Sequence, residues 1–150
     1  AGLALDAMRI REFRSAVNAV ADETLGPDDL MPRLKIDSDL TFRDITGSVA
    51  AGVASLAPFG AGNPRPVFAA RGVEIVDGPR VLKERHLKLA LKQEGRIFRA
   101  VAWRAAERHD DLAACKAVGG AIDVAFSLEQ NQYNGETYVE LTLADLKNSA

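Results

Sequence analysis

The sequence predicts a mainly β chain with α: a five-stranded Greek-key barrel preceded by a helix–strand–helix segment. Three observations predict it. The hydrophobic period changes from three-and-four to two near the middle of the chain. The change falls at Pro58–Phe68, where three prolines and two glycines crowd eleven residues. Beyond that junction, glycine-marked turns separate short alternating runs, and only Ala105–Val118 is compatible with a helix.

Ile10, Phe13, Val17 and Val20 form the stripe of an amphipathic helix that Asp6 can start and Gly26-Pro27 stops. Leu34, Ile36 and Leu40 alternate with Lys35, Asp37 and Asp39, which predicts a half-buried strand. Thr41 and Asp44 have the spacing of a capping box, and Ile45, Val49, Val53 and Leu56 follow on one side of a second helix. Pro58 ends it, since each proline lacks a donor and pushes the residue before it to extended geometry. The junction is either a rigid spacer or, through the Gly60–Asn63 amides, an anion nest.

Val67–Asp77 is apolar with a break at Gly72, the sign of a bent strand, and Gly78-Pro79 reads as the next turn. In His86–Lys92 the residues Leu87, Leu89 and Leu91 face in, while His86, Lys88 and Lys92 face out. Gln93-Glu94-Gly95 leads to Ile97–Arg104, with Phe98, Ala100 and Ala102 inside and Arg99, Val101 and Trp103 outside. After the helical connector, Gly119-Gly120 opens a strand with Ile122, Val124, Phe126 and Leu128 inward. Asn134-Gly135 predicts a hairpin, and Val139, Leu141 and Leu143 the returning strand. Three strands, a helix and two strands is the order of the OB-fold, a five-stranded Greek-key barrel.

Bulk properties exclude several classes. Hydrophobic and charged contents of 47% and 27% are those of a soluble globular protein. No apolar run reaches the length of a membrane span, so no membrane partner is expected. One cysteine, Cys115, allows no internal disulfide and fits a cytoplasmic location. With only His86 and His109 beside it, no zinc-ligand spacing exists. Asp28-Asp29 and Asp110-Asp111 read as solvated loops or helix starts, and neither histidine has an identifiable nucleophilic partner. Catalytic residues and metal ligands are therefore expected to be absent.

The charge distribution points to binding. Net charge is −2, yet Arg80–Arg104 holds eight basic residues against Glu84 and Glu94. Arg80, Lys83, Arg85, His86, Lys88, Lys92, Arg96, Arg99 and Arg104 fall on the strands and loop that form the ligand face of an OB-fold. They are either a phosphate-binding groove or a solvated face whose lysines blunt exposed strands. Trp103 and Tyr133, with Tyr138 behind them, are candidates for base stacking. Each could equally pack against a neighbouring element.

The segments "PFGAGNPRPVF" at Pro58–Phe68, "HLKLAL" at His86–Leu91 and "YNGE" at Tyr133–Glu136 resemble the C-terminal region of the bacterial RecJ family. That family comprises single-stranded-DNA-specific 5′-to-3′ exonucleases of the DHH phosphoesterase superfamily. "AGL" at Ala1–Leu3 resembles the end of the glycine- and histidine-rich motif of the DHH-associated domain, and "FRSAV" at Phe13–Val17 the segment after it. The resemblance implies three parts: 1–30, the tail of the DHH-associated domain; 31–63, a strand–helix linker; and 64–150, the nucleic-acid-binding OB domain. It implies a single-stranded-DNA-binding module whose parent acts in recombination and repair with Mg²⁺ or Mn²⁺. Nothing here matches the family's metal-binding aspartates and histidines, so this piece is expected to be inactive alone and to need no cofactor. Single-stranded DNA is the expected partner, with a single-strand-binding protein as a further one. Two competing readings stand beside it: a protein-interaction or scaffolding domain docking a single-strand-binding protein or the nuclease core, and an OB module for RNA or for a polymerase subunit.

Overall fold

The computed structural model describes residues 2–149, the side chain of Tyr133 excepted. The chain forms two compact units, Ala1–Leu34 and Lys35–Ala150. In the first, the Asp6 carboxylate accepts the Met8 N–H at 2.9 Å and starts a single 3-10 turn. That turn runs into helix α1, Ile10–Thr24. The helix stops where Leu25 turns extended ahead of Gly26-Pro27, as the sequence predicts. No residue of α1 is buried, and its apolar stripe, Ile10, Phe13, Val17 and Val20, is 41–59% exposed.

The second unit is mostly strands. Strand β1 is Ser38–Asp39, β2 Phe68–Leu82, β3 His86–Gln93, β4 Arg96–Ala102, β5 Ala121–Tyr133 and β6 Glu136–Asn148. The sheet order is β1-β2-β3-β4-β6-β5, and β2 pairs with β5 to close a five-stranded barrel. All barrel pairings are antiparallel except β4 with β6, which is parallel. Helix α3, His109–Ala117, makes the crossover between β4 and β5 and packs on β2. This is the OB architecture that the element order predicts, with a helix ahead of the barrel.

The inward residues are those the alternation selects. Leu87, Leu89 and Leu91 of β3 are buried, as are Phe98, Ala100 and Ala102 of β4 and Ile122, Val124, Phe126 and Leu128 of β5. Each fully buried Leu, Ile or Phe stabilises the fold by about 1.5–3 kcal/mol relative to exposure. Residues ahead of the barrel enter the same core. Phe42 is fully buried, with its ring edge-on to Phe98 at 5.3 Å and to Phe126 at 6.0 Å, and Ile45 and Ala50 are buried beside it. Gln93 holds this segment in place. Its Oε1 accepts the Phe42 N–H at 2.8 Å and its Nε2 donates to the Arg71 carbonyl at 2.7 Å.

Four local expectations are corrected. The strand expected from Leu34 to Leu40 pairs only at Ser38 and Asp39, parallel to Phe68 and Ala69. The Asp37 side chain takes the Val67 N–H at 3.0 Å, so the ladder begins only after it. Leu34 and Ile36 consequently remain exposed, and Leu40 alone reaches the core. Thr41 and Asp44 do not cap a helix: the Thr41 hydroxyl donates to the Asp44 carboxylate at 2.6 Å within a turn. Helix α2, Gly47–Ala54, starts later with Thr46 accepting the Val49 N–H, and Leu56 lies beyond it, exposed.

Gly78-Pro79 is not a turn but lies inside β2, within the register shift against β3 between Asp77 and Arg80. Gly78 has φ +78°, and a Cβ there would meet the Lys88 carbonyl at 2.5 Å, so this crossing demands glycine. The turn comes at Lys83-Glu84, both with positive φ, as are Glu94-Gly95 and the predicted Asn134-Gly135. Finally, Val101 faces outward but is buried, flanked in register by Lys88 and Thr142. The bend expected at Gly72 is present, with φ +66° where the β2–β5 register shifts.

Candidate nucleic-acid interface

Antiparallel pairing sets the outward side chains of β2, β3 and β4 in cross-strand rows. One row runs Arg80, Lys88, Val101 and the next Asp77, Ala90, Arg99, with Glu140 of β6 beyond. A third sets Glu74 beside Lys92 and Ile97. Leu82 pairs with His86 at the far end of β3, where Trp103 follows β4. Arg80, Lys88 and Arg99 line a shallow cleft of about 360 Å³ together with Asp77. The face predicted from alternation therefore brings Arg80, Lys88 and Arg99 together.

The cations on it are not equivalent. Arg80 holds Asp77 through Nη2, which contacts both carboxylate oxygens at 2.9 Å. The Gly78 N–H first, and then the Arg80 guanidinium, hold the Asp77 carboxyl below its ordinary value of 3.8, so it stays ionised at neutral pH. Lys92 reaches Glu74 at 3.4 Å. Arg96 donates to the Ile45 carbonyl at 3.4 Å and lies over the Phe98 ring, 5.9 Å from its centroid. Lys83, Arg85, Lys88, Arg99 and Arg104 have no ion pair among the described residues. Counting acids only between Arg80 and Arg104 missed Glu74 and Asp77, which reach the face from β2. Pairing that strand with β3 in register would have found them.

A second cleft, about 640 Å³, lies between Arg85, His86, Trp103 and Arg104. The Trp103 ring is edge-on to the His86 ring at 4.6 Å and is 57% exposed. His86 Nδ1 accepts the Arg104 N–H at 2.9 Å, which fixes the ring. Arg104 itself adopts φ +56° in making that bond. Trp103 thus has both a packing partner and an open face. Tyr133 stands opposite Glu136 beside the β5–β6 turn, apart in the fold from this cleft, and its side chain lies outside the described residues. Lys83 sits in the β2–β3 turn, exposed.

The proline-rich junction is internally bonded. Gly60 and Asn63 exchange backbone hydrogen bonds, and the Asn63 amide donates to the Leu56 and Pro58 carbonyls, both at 2.9 Å. Those two amides are committed, which favours a rigid spacer over an anion nest. Arg65 lies over the Phe59 ring at 4.9 Å and donates to the Leu128 carbonyl on β5.

Among the described residues no three His, Cys, Asp or Glu side chains converge as metal ligands. His109 and Asp110 form a surface pair at 2.8 Å, and Asp110 and Asp111 occupy the first turn of α3, where the helix dipole favours them. Asp29, the last residue of the 3-10 turn Pro27–Asp29, accepts the Gly26 N–H. These donor sets do not fit a divalent metal. No helix among the described residues is long and apolar enough to cross a membrane.

Comparison with known proteins supplies further findings. The family model described as the RecJ OB domain matches residues 36–145. The chain is 25% identical over 146 residues to the single-stranded-DNA-specific exonuclease RecJ of Bacillus subtilis, covering 97% of this chain and 18% of that protein. It is 30% identical over 147 residues to the protein of the same name from Thermus thermophilus, covering 98% of this chain and 20% of that one. The crystal structure of Thermus thermophilus RecJ in complex with Mn²⁺ superposes with a TM-score of 0.70 at 28% identity, over 97% of this chain and 20% of that chain. The chain thus spans about a fifth of the length of the relatives it matches.

Proposed function

The chain belongs to the RecJ OB-domain family, and on that premise we propose that it is the single-stranded-DNA-binding module of a 5′-to-3′ exonuclease acting in DNA recombination and repair. The observation that carries the reading is the outward face of β3 and β4. Lys88 and Arg99 stand there without ion pairs among the described residues, on the part of an OB-fold that receives single strands. Arg85 and Arg104 extend the cationic track to Trp103, and Lys83 extends it around the β2–β3 turn. Arg80, Lys92 and Arg96 border it, each already engaged. The track grips phosphates, while Trp103 and His86 offer rings to unstacked bases.

In this reading residues 1–30 end the preceding domain, 31–63 lead into the barrel and 64–150 hold the strand. Hydrolysis and its Mg²⁺ or Mn²⁺ belong to another domain of the parent. The free thiol of Cys115 suits a cytoplasmic protein.

Titration of the chain with labelled single- and double-stranded oligonucleotides at two salt concentrations tests the proposal. Single strands should bind more tightly than duplex, and affinity should fall steeply with salt. Lys88→Glu and Arg99→Glu should each weaken binding about tenfold or more. Equal affinity for duplex and single strand, or indifference to both charge reversals, would overturn it. The isolated chain should release no nucleotides in Mg²⁺ or Mn²⁺.

A further inference from the structure

The ladder between β4 and β6 runs from Arg99–Glu140 to Ala102–Leu143 and ends there. On the N-terminal side of it the two strands part. Arg96–Phe98 keep their partners on β3 and Glu136–Val139 keep theirs on β5, but neither segment is in register with the other. The gap is a cleft of about 590 Å³, in the size range of small-ligand sites. Its lining includes Ile97, Tyr138 and Val139 together with Thr137, Arg99 and Glu136. Ile97 is 59% exposed and Tyr138 37%, so an aliphatic and an aromatic surface stand open together.

Arg99 lines both this cleft and the one formed by Asp77, Arg80 and Lys88. A polyanion lying over Lys88 is therefore led past Arg99 to the mouth of the gap. Glu136 repels phosphate, which keeps the sugar-phosphate backbone on the Arg99 side. What fits inside is planar, apolar on its faces and able to hydrogen-bond at its edge. A nucleobase has those properties, and only an unpaired one can turn in.

We infer that the cleft between β4 and β6 is a base-binding subsite. It takes one unstacked nucleobase of a single strand against Tyr138 and Ile97, with the neighbouring phosphate on Arg99. This rests on the DNA-binding reading above; it adds Ile97, which the sequence did not select, and moves Tyr138 from behind Trp103 and Tyr133 to the base contact itself. It also gives that reading a source of discrimination, because a duplex presents phosphates but no free base.

The test compares a single strand of about 16 nucleotides, an upper site size for one such barrel, with an abasic strand of the same length. Tyr138→Ala should weaken binding of the intact strand by about 5- to 150-fold, the range of one lost stacking contact. It should leave the abasic strand and the salt dependence unchanged, since no charge is lost. Tyr138→Phe should bind the intact strand as the wild type does. Wild-type affinity in Tyr138→Ala, or equal loss for both strands, or loss in Tyr138→Phe as deep as in Tyr138→Ala, would overturn the subsite. If Arg99→Glu and Lys88→Glu weaken binding while Tyr138→Ala does not, the subsite fails and the DNA-binding reading stands. If neither charge reversal matters, the DNA-binding reading itself has failed.

Discussion

Two cations on the outward face of β2–β4, Arg80 and Lys92, already hold carboxylates, and the two pairs differ in geometry. Lys92 meets Glu74 through one contact at 3.4 Å between exposed, flexible side chains, an arrangement worth little. Arg80 meets Asp77 through one nitrogen, Nη2, which contacts both carboxylate oxygens at 2.9 Å, a closer charge-assisted contact of the kind a phosphate would otherwise receive. Asp77 thus competes with DNA for Arg80. Asp77→Asn should tighten single-strand binding several-fold and steepen the salt slope by about 0.7, the increment for one more phosphate contact. Titrations across a salt series read both quantities, and unchanged affinity would mean that Arg80 takes no part.

Asp123 offers a separate test through pH. Its carboxylate accepts the Ser149 hydroxyl at 2.6 Å and the Gly72 N–H at 3.1 Å. The Ser149 bond first, and the Gly72 bond after it, hold its pKa below the ordinary 3.8 against the opposing effect of burial. A lowered folded-state pKa means that the unfolded chain binds the proton more readily. The stabilisation is therefore complete well above pH 3.8 and is lost as the pH falls through 3.8 toward the folded value. Denaturant unfolding of the wild type and Asp123→Asn should show a constant gap at neutral pH that closes in acid. A gap that widened in acid would refute this account.

At the scale of elements, the segment ahead of β2 is part of the barrel's core rather than an approach to it. Phe42 touches Phe98 of β4 and Phe126 of β5 and excludes water from between them. Phe42→Ala should cost about 3–5 kcal/mol, read as a lowered denaturant midpoint. A loss under about 1 kcal/mol would mean that the cavity collapses or that the ring packs loosely.

The strands of the barrel were legible in the sequence because each alternates by itself: Leu87, Leu89 and Leu91 mark an inner face whatever they pair with. Strand β1 was not, because its extent is set by a partner 30 residues away, where Asp37 takes the Val67 N–H. Gly78-Pro79 carried a local turn signal, yet the close approach of Lys88 needed that glycine inside a strand. The site was legible as a stretch of positive charge. Its neutralised members were not, since Asp77 and Glu74 meet Arg80 and Lys92 through pairing and local geometry rather than composition.

For the whole molecule, each of the two units can be tested alone. Every residue of the hydrophobic core cluster lies between Leu40 and Leu146. A chain of residues 35–150 should therefore unfold cooperatively, with the midpoint of the full chain and the same affinity for single strands. Loss of its cooperative transition would show that the first unit supplies part of the fold. The net charge of −2 conceals the local field that the outer cations of β3 and β4 create.

The short parallel seam between β4 and β6 has a consequence for how the chain reaches this structure. The ribbons β2–β3–β4 and β5–β6 join neighbours in sequence through tight turns, and hairpins of that kind form in about 1–10 μs. The seam joins Arg99 to Glu140 across α3 and the whole of β5, so its loop-closure entropy is met only once both ribbons exist. The barrel should fold as two preformed ribbons that meet last, along the β2–β5 pairing and the four register pairs of the β4–β6 seam. Pulse-labelled hydrogen exchange should find the β5–β6 amides protected before those of the seam, and simultaneous protection would rule out that order.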